Sequence, residues 1–330
     1  MNILIIRFSS IGDIILTSAF IRQVRKTFPE AQIDYVIKKT FAQLIQHNPH
    51  INHIYTYDST TKLSGLKELR STLETNGYDF IFDLQNNFRS NFILRAFSHS
   101  QKGQIDKLKI KRALLVYLKI NRYGKILPVP LRYLKTAESA QVMDDGLGLE
   151  LFLGDNINPP QIEGEYIAIA PGAAHFTKRW PMEKFESLIK KILKQFAHKI
   201  VLLGGKEDAD AFSSLEISDK IINFTGRLSL LESAAVIKNA VTLISNDSAL
   251  MHTATAVNTP VLAIFGSTSQ ELGFFPFRGK SMVMQNNNLW CRPCTHIGRK
   301  HCPLGHFKCM EEITADDVFN GLQKLIADKV

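Results

Sequence analysis

The residues of this sequence best suited to chemistry lie in short polar segments that each follow a predicted buried strand. The first segment follows NILIIR and contains Ser10, Gly12 and Asp13. A small turn with a glycine lets a substrate approach the backbone, and a carboxylate at the start of the next helix could act as a general base. Aspartate is also favoured as a helix cap, so the spacing alone leaves both roles open. The segment lacks the G-x-G-x-x-G pattern and a Walker lysine, so neither a dinucleotide site nor a P-loop is indicated.

Two further segments offer groups that bind phosphate. The loop after YIAIA contains Thr177, Lys178 and Arg179, a hydroxyl and two cations of the kind that phosphate oxygens require. The segment SNDSALMH places small polar residues at a helix start, where free N–H groups and the helix dipole attract anions. His252 lies one helical turn beyond Ser248, so both side chains could face one ligand. A solvated loop and an ordinary capped helix are the alternative interpretations.

A glycine pair after another strand, Gly204-Gly205, precedes Lys206 and Glu207. Glycine lets a ligand come close to the backbone, and the Glu207 carboxylate could accept hydrogen bonds from ribose or sugar hydroxyls. A plain turn is the alternative.

All four cysteines, Cys291, Cys294, Cys302 and Cys309, fall within nineteen residues near the end of the chain. This is not the layout of a disulfide scaffold. The first pair has the spacing of zinc ligands, but the later spacings fit no standard zinc module. Packed or redox-labile thiols are therefore favoured over a metal site, and catalysis by these cysteines is not indicated because no base motif lies near them.

These segments belong to a chain in which buried strands alternate with amphipathic helices twice over. Such alternation predicts an α/β protein with two parallel, doubly wound sheets. The run DNINPPQIE at 155–163 separates the halves, which predicts one domain over residues 1–158 and another over 159–330. Ligands of such sheets bind where loops leave the carboxyl ends of the strands, which is where the polar segments lie.

Composition and charge narrow the class of protein and its partners. The chain has 330 residues, 45% hydrophobic and 22% charged, which excludes a disordered or fibrous protein. Its apolar runs are too short to span a bilayer and no signal peptide is recognised, so a cytoplasmic protein is expected.

The net charge is +9, and residues 102–135, hereafter the basic segment, carry ten basic residues and one acid. This segment favours anionic partners such as nucleic acid, membrane head groups or a phosphorylated substrate, or it is a solvated helix face. Within it, Leu108, Leu114, Leu115 and Leu118 form an apolar stripe.

Taken together, the polar segments resemble those of glycosyltransferase family 9, the bacterial lipopolysaccharide heptosyltransferases. The most specific pieces are RFSSIGDIILT at 7–17 and SNDS at 245–248 with His252. Supporting pieces are DLQNNFRS at 83–90 and the cysteine-containing tail at 291–310, which looks more like the heptosyltransferase II branch than the I branch. The resemblance covers nearly the whole chain.

The resemblance implies a GT-B fold, with two Rossmann-like domains facing a central cleft. The acceptor would bind the first domain and an ADP-activated heptose the second. It also implies an inverting reaction without metal or cofactor, an acidic inner-core lipid acceptor, peripheral contact with the inner membrane leaflet through the basic segment, and no nucleic acid. Asp13 matches the catalytic base. The implied donor contacts are Thr177, Lys178, Glu207, Asp247, Ser248, Ala249 and His252, and the implied acceptor contacts are Ser10, Gly12, Asn86 and Arg89.

Two other interpretations stay open at this point. Another nucleotide-sugar transferase or an epimerase of GT-B shape would share the donor segments, although an epimerase would not need Asp13. A basic protein that binds zinc and nucleic acid would use the basic segment and the cysteines, but few aromatic residues interleave with the cations. Asp208-Ala209-Asp210 has the spacing of a metal-binding Asp-x-Asp, yet its place at a helix start argues against that role.

Overall fold

The computed structural model of the protein describes residues 1–209, 212 and 218–327. Its contacts divide the chain into two compact units. The first comprises Met1–Lys109 and Leu127–Gly154, and the second comprises Ile110–Ile126 and Asp155–Val330. The sequence-based division assigned residues 110–126 to the first domain, whereas their contacts group them with the second unit. Strand order along the chain carries no information on which sheet a connecting segment packs against.

The first unit is built on a parallel sheet of five strands in the order β3-β2-β1-β4-β5. Its strands are β1 (Asn2–Ile6), β2 (Gln32–Lys38), β3 (His53–Tyr57), β4 (Phe80–Asp83) and β5 (Gln101–Gln104). The central strand β1 is continuously apolar because both of its faces are covered, and Ile3–Ile6 are fully buried. In register, Ile5 lies between Tyr35 and Phe82.

The first six helices of the chain are α1 to α6; five of them lie in the first unit, whereas α5 lies almost wholly in the second unit. The six are α1 (Ile11–Ile15), α2 (Ser18–Thr27), α3 (Lys62–Glu74), α4 (Phe88–Leu94), α5 (Lys109–Leu118) and α6 (Val129–Leu134). Leu66, Leu69 and Leu73 recur at helical spacing along α3 and pack into the core formed with Leu4 and Ile81. Pro29 follows the end of α2, where a proline cannot continue the helix.

The second unit holds a parallel sheet of six strands in the order β11-β10-β9-β6-β7-β8. Its strands are β6 (Tyr166–Ala170), β7 (Lys199–Leu202), β8 (Ile221–Asn223), β9 (Thr242–Asn246), β10 (Val261–Phe265) and β11 (Ser281–Gln285). The helices that follow α6 are α7 (Met182–Gln195), α8 (Leu230–Lys238), α9 (Ala249–Ala256), α10 (Lys308–Glu311) and α11 (Ala315–Ala327). Trp180 is buried at the start of α7 and its indole N–H donates to the Ile313 carbonyl at 3.0 Å.

Each sheet has one point at which the strand order reverses. In the first unit this switch point lies between β1 and β4, and in the second between β6 and β9. Loops leaving the carboxyl ends of these neighbouring strands diverge and leave room for a ligand. The four polar segments at 8–13, 84–89, 171–181 and 247–252 follow these four strands, so the fold places the predicted chemistry at the two switch points.

The predicted fold class, an α/β protein with two Rossmann-like, doubly wound parallel sheets, is confirmed. The strands β5 and β11 were not predicted, because edge strands need no continuous apolar run and QKGQ has none. The predicted apolar stripe of the basic segment is wrong in part. Leu115 is buried, together with Val116, whereas Leu118 is exposed.

Candidate active site

Asp13 lies in the first turn of α1, at the carboxyl end of β1. Its Oδ1 is 2.8 Å from Nη2 of Arg7, and its Oδ2 accepts a hydrogen bond of 2.7 Å from the Ser10 hydroxyl. The Ser10 N–H lies 3.4 Å from the same Oδ2, so the carboxylate also supports the helix start in the manner of a cap. The side chain keeps about a fifth of its surface exposed. Both roles left open by the sequence are therefore geometrically compatible.

Arg7 forms an ion pair with this carboxylate and is itself held by several contacts. Its Nε donates to the Ser9 carbonyl at 2.7 Å, another guanidinium nitrogen donates to the Leu84 carbonyl, and the guanidinium lies over the ring of Tyr133 at 5.7 Å. Burial disfavours the charged guanidinium, but the Asp13 carboxylate together with Tyr133 and Tyr35 outweighs this effect and raises the pKa of Arg7. Arg7 therefore stays charged and fixes the position of Asp13.

The loop after β4 is tied to the loop after β1. Gln85 Oε1 accepts hydrogen bonds from the N–H groups of Phe8 and Ser9 at 3.0 and 3.1 Å. The buried Asp83 carboxylate in turn accepts from the N–H groups of Gln85 and Asn86, both at 2.8 Å. These bonds hold the two segments that the sequence assigned to acceptor binding side by side.

The predicted acceptor contacts occupy different places in these loops. Ser10 and Gly12 lie with Asp13 at the start of α1. Asn86 has a left-handed backbone, with φ of 45°, and its side-chain amide donates to the Ile105 carbonyl at 2.8 Å. Arg89 lies in the first turn of α4, with its guanidinium 6.0 Å from the Tyr57 ring centroid. The structure brings Ser10 into contact with Asp13, and it ties the Asn86 side chain to the segment that follows β5.

The centre of the second unit's site is an ion pair between Lys178 and Asp247. Lys178 Nζ lies 2.8 Å from Asp247 Oδ2, which also accepts a 2.7 Å hydrogen bond from the Thr268 hydroxyl. The carboxylate is nearly buried and the ammonium mostly so. Because an ammonium has three donors, Lys178 can hold Asp247 and a ligand oxygen together.

Buried polar groups fix the loops that carry this pair. Asn246, fully buried at the end of β9, accepts from the Trp180 N–H at 3.1 Å and donates to the Pro171 carbonyl at 2.5 Å. Thr177 is also buried, and its hydroxyl accepts from the Arg299 N–H at 2.9 Å. The Thr177 hydroxyl thus stabilises the loop, and it lies inside the second unit rather than at the surface.

The start of α9 has the features of an anion site. Ser248 is the N-cap residue, and its hydroxyl lies 3.0 Å from that of Ser245, making no capping bond to the helix backbone among the described residues. Ser248 and Ala249 are half-buried. First-turn N–H groups left without a side-chain cap can bind a phosphate or another anion. His252 is buried one turn further on.

Glu207 lies on a short 3-10 helix after β7, the strand beside β6, and its side chain is exposed. The adjacent Asp208 is buried and accepts from the Gly205 N–H at 3.0 Å, and burial raises the pKa of its carboxyl group. Asp208 therefore closes the turn. Asp210, the other acid of the Asp-x-Asp spacing, lies outside the described residues.

The loop after β10, which supplies Thr268, is fixed by Arg292. The guanidinium donates to the carbonyls of Gly266 and Thr268 at 2.6 and 2.8 Å and to Oε1 of Gln285 at 3.0 Å. Sequence analysis missed both Thr268 and Arg292, and no pattern in the sequence distinguishes them. It also assigned no role to Arg7, although an arginine at the end of an apolar strand is a usable signal.

The four cysteines are all free thiols. Cys309 is packed in the core of the second unit, and burial raises the pKa of its thiol to about 12. Cys291 Sγ lies 3.9 Å from Nε2 of His306. Within the described part of the chain, no group of three or more His, Cys, Asp or Glu side chains is arranged to hold a metal ion.

Two surface pockets lie elsewhere. One is lined by Asp79, His99 and Gln101 and the other by Asn2, Gln32 and His53, among other residues. Both are at the amino ends of the first sheet's strands, the edge opposite to the loops described above, so we do not assign them to the reaction.

The sequence profile of glycosyltransferase family 9 (heptosyltransferase) matches residues 66–305, well over half of the chain. Lipopolysaccharide heptosyltransferase 3 of Escherichia coli strain K12 is 25% identical over 346 aligned positions, which cover 96% of each protein. Two solved structures share the fold. A glycosyl transferase family 9 protein from Veillonella parvula has a TM-score of 0.78 at 20% identity, covering 99% of this chain and 97% of its own. The E. coli ADP-heptose lps heptosyltransferase II has a TM-score of 0.75 at 21% identity, covering 100% and 99%.

Proposed function

The chain belongs to glycosyltransferase family 9, and we propose that it transfers heptose from ADP-heptose to the inner core of lipopolysaccharide. It is a glycosyl-transferring enzyme by family. ADP-heptose as the donor and lipopolysaccharide as the acceptor are taken from the names of the two E. coli proteins, a lipopolysaccharide heptosyltransferase and an ADP-heptose lps heptosyltransferase. The inner core as the site of transfer follows from the family resemblance of the sequence. The cysteine-containing tail favours the heptosyltransferase II branch, which stays a prediction.

The observation that carries the proposal is the Lys178–Asp247 ion pair at the switch point of the second sheet. It places a mostly buried cation beside the N-terminus of α9, where Ser248 makes no side-chain capping bond to any described residue, so a positive charge and the first-turn N–H groups meet at the carboxyl ends of β6 and β9. A diphosphate is a ligand that this combination fits. Glu207, exposed after the neighbouring strand, would accept hydrogen bonds from the ribose of the donor.

In the proposed reaction the acceptor hydroxyl attacks the anomeric carbon in line with the departing ADP, which inverts the configuration. The new bond joins the acceptor oxygen to the anomeric carbon, and the bond between that carbon and the diphosphate oxygen breaks. Asp13 takes the hydroxyl proton. A carboxylate has four lone-pair sites, so Asp13 can accept the acceptor hydroxyl while it keeps its bonds to Arg7 and Ser10.

The diphosphate gains negative charge as it departs. Lys178 and the N–H groups at the start of α9 would stabilise that charge without rearrangement, because buried hydrogen bonds already hold their loops. We therefore propose that the transfer needs no metal. Ser10, Gly12, Asn86 and Arg89 remain the proposed acceptor contacts. The cations of the basic segment favour an acidic acceptor and an anionic inner leaflet, and the scarcity of aromatic residues among them argues against nucleic acid.

The test is incubation of the purified protein with ADP-heptose and a series of defined truncated core lipids, read by mass spectrometry. We expect one heptose to be added to one of the lipids, and the product linkage, read by nuclear magnetic resonance, to have the anomeric configuration opposite to that of the donor. A parallel incubation contains EDTA. Transfer from a different nucleotide sugar but not from ADP-heptose, or retention of configuration, would contradict the proposal.

A further inference from the structure

The outer face of α5 exposes large apolar side chains. Ile110, Tyr117 and Leu118 are 78%, 70% and 62% exposed, and Ile120 just beyond the helix is 42% exposed. Leu115 and Val116 of the same helix are buried. The helix therefore has one apolar face against the protein and a second apolar face open to solvent, which a soluble helix normally covers with polar residues.

Helical geometry surrounds this second face with cations. Ile110 and Tyr117 are seven residues apart and hence lie two turns apart on one side of the helix. Lys109 and Lys111 are the immediate neighbours of Ile110, so they project about 100° to either side of it, and both are exposed. Exposed Arg122 and Lys125 follow the helix, and residues 107–137 contain no acidic residue.

Lys119, directly after α5, bonds to the protein and so fixes the orientation of the helix instead of adding another cation to the exposed face. Lys119 Nζ donates to the carbonyls of Val116, Cys291 and Pro293 at 2.9, 2.9 and 2.7 Å. All three donors of the ammonium are thus used in bonds to the protein, and partial desolvation of this group lowers the pKa of Lys119. The end of α5 is thereby fastened to the segment that carries the first two cysteines, and the exposed apolar face has a fixed orientation on the second unit.

We propose that this face, Ile110, Tyr117 and Leu118 with the flanking Lys109 and Lys111, docks the enzyme on an anionic phospholipid bilayer. An apolar stripe bordered by lysines on both sides is the pattern of a helix that lies in the plane of a membrane interface. The lysines meet lipid phosphates while the apolar side chains enter the boundary of the acyl chains. No helix among the described residues is long and apolar enough to cross a membrane, so the contact is peripheral.

This inference rests on the proposed function, because an enzyme with a lipid acceptor must reach a membrane. The experiment that tests it measures membrane binding alone and uses no substrate. Flotation is measured with vesicles of phosphatidylethanolamine and phosphatidylglycerol and with vesicles of phosphatidylcholine alone. We expect binding to the anionic vesicles only, and weaker binding as salt rises because salt screens the lysines. Failure of heptose transfer with intact vesicle binding would reject the proposed function and leave the docking surface standing.

A matched pair of variants tests the surface itself. Ile110→Ser removes a 78% exposed apolar side chain from the face, and Met143→Ser removes a 76% exposed one from the first unit. We expect Ile110→Ser to lower vesicle partitioning about tenfold and Met143→Ser to leave it unchanged. A Lys109→Gln/Lys111→Gln variant, which replaces two exposed side chains, should lower partitioning about 30-fold. Melting temperatures confirm that each variant is folded.

Three results would overturn the proposal. The first is equal binding to neutral and anionic vesicles, and the second is equal loss of binding in Ile110→Ser and Met143→Ser. The third is a dimer, detected by light scattering, that Ile110→Ser dissociates while vesicle binding is absent, since the face would then be covered by a second copy. Transfer to a water-soluble, delipidated acceptor should be unchanged in Ile110→Ser, because docking supplies access to the lipid and not chemistry.

Discussion

Lys178 is the residue whose replacement separates stability from chemistry most clearly. Lys178→Met keeps the unbranched side chain without its terminal ammonium and so removes the charge 2.8 Å from Asp247, a carboxylate that is only 5% exposed. Breaking a buried ion pair costs about 3–5 kcal/mol. Lys178 is 16% exposed and Thr268 still donates to the orphaned carboxylate, so we expect a loss of about 2–3 kcal/mol in the free energy of unfolding. Loss of one group that stabilises the leaving diphosphate should lower kcat about 100- to 1,000-fold.

The double variant Lys178→Met/Asp247→Asn distinguishes the two effects. Removing both charges leaves no unpaired ion, so stability should return to within about 1 kcal/mol of the wild type. Transfer should stay as low as in Lys178→Met, because the diphosphate still lacks its cation. If Lys178 only held the loop together, activity would recover together with stability.

The assay is urea unfolding combined with initial rates of transfer at saturating and limiting donor. Lys191→Met is the matched control, because Lys191 Nζ lies 2.6 Å from Asp316 in an exposed ion pair of the same unit. Exposed pairs contribute about 0–1 kcal/mol, so neither stability nor rate should change appreciably. Wild-type kinetics in Lys178→Met, or a recovered rate in the double variant, would refute the assignment of Lys178 to the leaving group.

Three further outcomes are expected. Burial opposes ionisation of Asp145, yet hydrogen bonds from Arg22 and others lower its pKa. Asp145→Asn should therefore lower the free energy of unfolding by about 2–3 kcal/mol at neutral pH. In urea titrations this difference should shrink as the pH falls below about 4, because the carboxyl group of the unfolded chain protonates first. A difference that grows in acid would contradict this sign. Cys309, whose thiol pKa is raised to about 12 by burial, should resist iodoacetamide at pH 8 until the protein unfolds, whereas the half-exposed Cys291 reacts first by mass spectrometry; early alkylation of Cys309 would count against its packing. EDTA should leave the transfer rate unchanged, and a rate that collapses and returns with added metal would overturn the metal-free mechanism.

Central strands were predictable from the sequence because a strand covered on both faces must be apolar throughout. NILIIR and YIAIA show this pattern, and the polar residues that follow them could therefore be assigned to the carboxyl ends of strands from sequence alone. The edge strands Gln101–Gln104 and Ser281–Gln285 escaped prediction, since none of their residues is buried.

The contacts that hold the site residues were not predictable. Residues far apart in the chain make them, as when Gln85 binds the backbone of Phe8 and when Thr268 binds Asp247. The pairing of Asp13 with Arg7 lies within one segment, but its geometry depends on Leu84 in the neighbouring loop. The sequence therefore indicated which residues are candidates for the site, and tertiary packing decides what each one touches.

The central claim is that Asp13 removes the proton from the acceptor hydroxyl during heptose transfer. The most direct test compares the wild type with Asp13→Asn, which keeps the shape of the side chain and an oxygen for the Ser10 bond. The two proteins are compared in single-turnover transfer from ADP-heptose, and their donor affinities are measured by calorimetry. We expect an unchanged donor affinity, a melting temperature lowered only by the lost Arg7 ion pair, and a transfer rate reduced at least about 100-fold. A variant that transfers heptose at the wild-type rate, or one whose lost activity is fully explained by unfolding and lost donor binding, would show that Asp13 is a structural cap and not the base.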